Sequence, residues 1–174
     1  MNKERIKKII KDVYPYVIVV LVVVLIRTFI ITPAIVDGDS MEPTLNDNNI
    51  IILNKLDYRL NDIKRFDIVV VNWNGEKIVK RVIALPGEHV EYKNGNLYID
   101  GFIVKENFNH GETHDFKLES IGYKTIGGDK YFVVGDNRTN SNDSRYEVGL
   151  VDKEDILGSV QVRIFPLNKI KIVK

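Results

Sequence analysis

Glu91-Tyr92-Lys93-Asn94-Gly95-Asn96-Leu97-Tyr98-Ile99-Asp100-Gly101 is the stretch whose reading decides the fold class. Asn94-Gly95 between two short runs of aromatic and apolar residues is a hairpin signal, because a tight two-residue turn needs positive φ at both central positions. Asp100-Gly101 supplies the next turn. Toward the amino terminus, residues 49–54 form a short apolar run, and Asp67-Ile68-Val69-Val70-Val71 reads as a β-branched strand. Residues 77–85 read as another strand, closed by Pro86-Gly87. On the carboxyl side, residues 105–128 are polar and glycine-containing and predict an inserted loop or small subdomain. Residues 131–134 then give a compact strand, and residues 160–173 the last strands, interrupted by Pro166. The expectation is a mainly β domain with an antiparallel sheet and little helix after Thr32-Pro33.

The chain begins differently. Lys3, Arg5, Lys7, Lys8 and Lys11 outweigh Glu4 and Asp12 in residues 1–12, and residues 13–31 that follow are almost wholly apolar. A helix over that run spans about 28 Å, close to the roughly 30 Å hydrocarbon core. Arg27 costs on the order of 3 kcal/mol at mid-membrane, but near the far end its side chain reaches the interface. A buried core helix normally shows a polar face, and residues 17–26 show none. A cleavable signal peptide competes for the segment, since Thr32 and Ala34 are small. Pro33 and the length of the run favour a retained anchor. The basic start predicts a cytoplasmic amino terminus and an extracytoplasmic domain over residues 32–174, with the hairpin and insert at about residues 90–130.

Of the 174 residues none is cysteine, which excludes thiol nucleophiles, disulfides and Cys-type zinc sites. The net charge of +1, with no basic stripe interleaved with aromatics, gives no argument for nucleic acid. His110 and His114 are four apart, but Gly111 argues against the helix that would align them as metal ligands, and His89 stands alone. No metal or cofactor is expected.

Asp37-Gly38-Asp39-Ser40-Met41-Glu42-Pro43-Thr44 places a hydroxyl in a glycine-containing turn just after the apolar segment. A serine there serves either as a turn residue bonding its own backbone or as an exposed nucleophile. Lys80, in Ile78-Val79-Lys80-Arg81-Val82-Ile83, shares its strand face with Ile78 and Val82. An ammonium among apolar side chains loses its proton more readily and can act as a base. A surface lysine laying its stem over the same neighbours fits the spacing equally. Residues 135–145, Gly-Asp-Asn-Arg-Thr-Asn-Ser-Asn-Asp-Ser-Arg, follow a strand with dense polar groups, as a solvated loop or as a loop bracing a catalytic site.

Ser40-Met41-Glu42-Pro43-Thr44, Arg65-Phe66-Asp67-Ile68-Val69, Lys80-Arg81-Val82-Ile83-Ala84-Leu85-Pro86-Gly87-Glu88 and residues 135–145 resemble, in order and spacing, the signature boxes of type I signal peptidases. Arg163-Ile164-Phe165-Pro166-Leu167 resembles their closing segment, and with the anchor the resemblance covers nearly the whole chain in the short single-anchor form of Gram-positive bacteria. It implies an antiparallel β catalytic domain on one membrane helix, removing signal peptides from exported preproteins at the outer face of the membrane beside the export machinery. By motif position Ser40 is implied as nucleophile, Lys80 as general base and Ser141 as the hydroxyl that orients the lysine amine. Asp136, Arg138, Asp143 and Arg145 are implied as charges holding the loop against the dyad. Met41, Leu45 and Val79 match apolar positions that select small residues at −1 and −3, or are ordinary core. Where some members carry a serine that helps bind the oxyanion, this chain has Gly38, which leaves the Ser40 amide as the main donor.

Two other functions fit parts of this pattern. Self-cleaving repressors of the DNA-damage response also place Ser before Lys, but need a DNA-binding domain where this chain has its apolar segment. A membrane-tethered β domain that binds exported proteins without cutting them needs neither dyad nor loop motifs.

Overall fold

The computed structural model describes residues 3–173. Helix α1 (Lys3–Phe29) takes up most of the expected basic tail together with the apolar run. The first two residues of that tail, and the side chains of Lys3, Arg5 and Lys8, lie outside the described residues. The stretch Ile10–Phe29 is long and apolar enough to cross a membrane, and none of it is buried.

The helix stops at Phe29, two residues short of the expected limit, and β1 (Ile31–Ile35) follows at once. The reason is pairing: Ile31 and Thr32 lie opposite Asn54 and Leu53 of β2 (Ile50–Asn54). The free carbonyls at the end of α1 are met by the domain itself. Thr32 Oγ1 donates to the Arg27 carbonyl at 2.7 Å, Lys55 Nζ to Thr28 at 3.1 Å, and the Lys55 amide to Ile30 at 2.8 Å. Those bonds cap the helix and tie it to the sheet.

After the short helix α2 (Asp57–Leu60) come β3 (Ile68–Trp73), β4 (Glu76–Ala84), β5 (Val90–Lys93), β6 (Asn96–Ile99), β7 (Phe102–Val104) and β8 (Phe116–Lys117). The remaining strands are β9 (Lys130–Val134), β10 (Val151–Asp152), β11 (Ile156–Phe165) and β12 (Lys171–Ile172). The larger sheet runs β1-β2-β11-β3-β4-β9-β10, with β12 paired to β11, and β7-β6-β5-β8 form a separate four-stranded sheet. All pairings are antiparallel. Asn94 at φ 51° and Gly95 at φ 74° make the expected hairpin turn between β5 and β6.

The central strand β3 is a near-continuous apolar run because both of its faces are covered, and Ile68 to Val71 are all buried. One apolar cluster joins the small sheet to the large one through Tyr92, Leu97, Ile83 and Phe132. A second gathers Met41, Leu45, Ile51, Leu53 and Val70 under the turn that carries Ser40. A third packs Val69, Val71, Val82 and Val133. From β1 to β4 the order contains four antiparallel steps, so β1 and β4 point the same way on the two flanks of the sheet. Among the described residues β1 has no partner on its outer edge, and β9 meets β4 only at Arg81, Val82 and Ala84. Two strand edges therefore lie open.

Candidate active site

Ser40 stands in the turn that leaves β1. Gly38 takes φ 89°, a conformation costly for any residue with a Cβ, and its amide donates to Asp47 Oδ1 at 2.9 Å. The loop after β9 braces the turn from the other side. The Asn137 amide donates to the Ser40 carbonyl at 3.0 Å, and Asn137 Nδ2 and Asn140 Nδ2 reach the Asp39 carbonyl and carboxylate at 3.1 and 2.9 Å.

Lys80 enters from β4, with its amine 2.8 Å from Ser40 Oγ. Its cross-strand partner is Val69, which with Ile78 and Val82 belongs to one apolar cluster. Lys80 is 3% exposed, which rejects the surface-lysine alternative. Burial pulls its amine from the ordinary 10.5 down to about 8, against the nearby Asp143 charge and with help from Arg145. The protonated amine donates to the serine oxygen, and a neutral amine can accept a hydrogen bond from the serine hydroxyl along the same line.

This burial carries a stability cost. At pH 7 Lys80 is protonated in both the folded and the unfolded chain, so folding must bury a charge. Between about 8 and 10.5 the unfolded chain still holds the proton that the folded one has lost, and stability rises with pH through that window. Lys80→Met, of similar shape without the charge, is expected to raise stability at pH 7 by up to about 3 kcal/mol, and by little near pH 10.5. Thermal unfolding at the two pH values reads this directly. A variant less stable than the native chain at pH 7 contradicts it.

The charges around the dyad pair less locally than the sequence suggests. Asp143 and Arg145 do pair, at 2.8 and 2.9 Å, and Asp143 also accepts the Gly135 amide. Asp136 instead binds Arg81, the neighbour of Lys80, through two bonds of 2.8 and 2.7 Å, with both side chains fully buried. Thr44, four residues past Ser40, donates its hydroxyl to the same carboxylate at 2.5 Å. The Arg81 guanidinium also donates to the carbonyl of Phe66, which sits at φ 73°, and lies 3.9 Å from the Phe108 ring centre. Arg138 pairs at 2.6 Å with Glu106 of the inserted segment and donates to the Gly135 carbonyl and the Thr113 hydroxyl.

Sequence reading missed Arg81, Thr44 and Glu106. Arg81 had left a signal: an arginine inside a strand of otherwise buried residues must find a charge or hydrogen-bond partner. Arg163, quoted without a role, is buried and holds the Thr44 carbonyl at 3.2 Å and Asn49 at 3.3 Å, tying the closing segment to the serine turn. Arg65 and Glu88 join two of the sequence boxes by bonds of 2.6 and 2.9 Å.

Ser141 packs against Gly135, where any Cβ would overlap its hydroxyl and the Ser40 carbonyl. Its buried Oγ makes no hydrogen bond, so the expected bond to the Lys80 amine is not formed in this structure. Two of the histidines have other partners, His89 meeting Glu119 at 3.1 Å and His110 the Gly111 carbonyl at 2.7 Å, and His114 is exposed. No cluster of metal-ligating residues occurs among the described residues.

Between the open edges of β1 and β4 lies a groove of about 840 Å³, floored by Ala34, Ile51, Leu53, Val70 and Val79. Of the three expected pocket residues, Val79 lines it. Met41 and Leu45 lie in the same apolar cluster as Val79, at 1% and 0% exposure, and are not among the residues that line the groove.

The family model described as "Signal peptidase, peptidase S26" matches residues 8–165. "Signal peptidase I P" of Bacillus subtilis subsp. natto is 42% identical, with 99% of each chain covered. "Signal peptidase I" of Bacillus amyloliquefaciens is 43% identical over 91% of this chain and 89% of its own. The crystal structure of a signal peptidase I from Enterococcus faecalis V583 is similar with a TM-score of 0.52 at 37% identity, covering 57% of this chain and 97% of that one. The chain belongs to the signal peptidase family, peptidase S26. Its activity is that of signal peptidase I.

Proposed function

We propose that this enzyme removes signal peptides from exported preproteins with a Ser40/Lys80 dyad, and the observation that carries the reading is the 2.8 Å approach of a buried lysine amine to the serine hydroxyl. Neutral Lys80 takes the Ser40 proton as Oγ attacks the scissile carbonyl. The oxyanion forms beside the Ser40 amide, which makes no hydrogen bond among the described residues. Protonated Lys80 then gives its proton to the leaving amine, and the acyl group stays on Ser40. Water deprotonated by the same lysine releases the signal peptide. Ser141, whose buried hydroxyl has no other partner, is assigned to hold the amine while Ser40 is acylated. Asp136, Arg138, Asp143 and Arg145 keep the loop in register with the dyad.

The substrate binds as an added strand between β1 and β4, whose open edges supply backbone partners. Both strands run toward the dyad and away from the end of α1, and five residues of β1 cover about 17 Å. A signal peptide entering from the membrane therefore runs parallel to both and meets Ser40 with its cleavage site. Val79, over Met41 and Leu45, favours small side chains at −1 and −3. In this reading α1 anchors the enzyme with residues 1–12 cytoplasmic and residues 32–174 outside, close to the export machinery.

A preprotein reconstituted in vesicles, with alanine at −1 and −3, tests the reading. The full chain is expected to cut it after the −1 alanine and to reject phenylalanine there. A form lacking residues 1–29 keeps all of β1 and is expected to cut short peptides as the full chain does, while losing at least about tenfold on the vesicle substrate. Equal loss on both substrates would assign α1 to folding instead of anchoring, and cleavage indifferent to −1 would remove the pocket.

A further inference from the structure

The groove continues past its apolar floor. Two residues before Val79 on β4 its wall becomes Lys77, and Lys55 and Lys153 line the same end against one carboxylate, Glu154. Lys55 is already engaged by the Thr28 carbonyl at 3.1 Å. Lys77 is exposed, and no carboxylate lies within ion-pair distance of it among the described residues. Side chains two apart leave a strand on one face, so Lys77 extends the row that Val79 begins.

We propose that Lys77 reads the charge of the substrate side chain at −5, favouring a carboxylate and disfavouring a cation. The inference rests on the groove being the substrate site. In an extended substrate the −1, −3 and −5 side chains share a face, and each step of two residues advances about 7 Å. With −1 and −3 over Val79 and the apolar floor, −5 arrives beside Lys77. Lys153 adds a second positive charge at that rim, and Glu154 offsets one of the two. The side chains meet in water, so the discrimination is several-fold and depends on salt.

The test uses the full-length enzyme in detergent and three peptides that differ only in Asp, Ser or Lys at −5. The readout is the ratio of kcat/KM values within one enzyme. For the native enzyme the Asp peptide is expected to exceed the Lys peptide by about fivefold at low salt, and the ratio to approach one at about 0.5 M salt. Lys77→Ser should flatten the ratio, and Lys77→Glu should invert it. Equal values for the three peptides would overturn the inference while leaving the groove assignment standing, because the Ser peptide is still cut. An Asp preference undiminished in both variants would also overturn it, moving the recognition to another cation. Failure of the native enzyme to cut the Ser peptide would instead strike the groove assignment.

Discussion

Ser40→Ala and Lys80→Ala are each expected to lower cleavage by at least about 10⁴-fold while leaving the folded protein intact, and the double variant to be no worse than either single one. In the proposed mechanism the two groups, 2.8 Å apart, act as one unit, so removing either would remove the proton transfer that makes the hydroxyl a nucleophile. Lys80→Arg is expected to be as inactive as alanine, since a guanidinium keeps its proton at any working pH. It must also fit where a 3% exposed lysine lay, and some loss of stability should accompany it. Single-turnover rates on a preprotein, with circular dichroism to confirm the fold, make the comparison. A Lys80→Ala enzyme retaining a tenth of the native rate would require another base.

The second large effect is expected away from the dyad, at Arg81 and Asp136. Their pair joins the lysine strand to the loop after β9, and Thr44 brings the serine turn to the same carboxylate. Asp136→Ala leaves a fully buried guanidinium without its charge partner, a loss of about 3 to 5 kcal/mol. For a domain of this size the unfolding midpoint should fall by roughly 10 °C. Replacing both residues by apolar side chains of similar volume is expected to recover much of that stability, because the unpaired charge is what costs most. The recovered protein should still cleave slowly, since Thr44 loses the acceptor that sets the serine turn against β4. A double variant that is both stable and fully active would show that the pair contributes nothing to placing Ser40.

Short-range physics made much of this legible in the sequence. Asn94-Gly95 admits few turns, and β-branched residues 68–71 admit few conformations, so the hairpin and the central strand lie where they were expected. Lys80 was ambiguous because strand spacing gives a face and says nothing of what covers it, and only the fold buries it. The boundary after Phe29 was hidden because Ile30, Ile31 and Thr32 suit either the end of an apolar helix or an edge strand. Pairing to residues more than twenty positions away decides between them. The partners of Arg81 and Glu106 were illegible for the same reason, since they come from distant segments. Met41 and Leu45 carry an apolar pattern that core and pocket share, and burial alone does not separate the two, since Ile51 and Val70 are as deeply buried and line the groove.

The pH dependence of kcat/KM on a short peptide tests the dyad most directly, because it reports the ionisation of the free enzyme's base. The account predicts a rise with an inflection near the Lys80 value of about 8, unchanged when His89, His110 and His114 are all replaced by alanine. An inflection in the ordinary histidine range, about 6 to 7, that disappears in the triple variant would contradict it and return histidine to the active site.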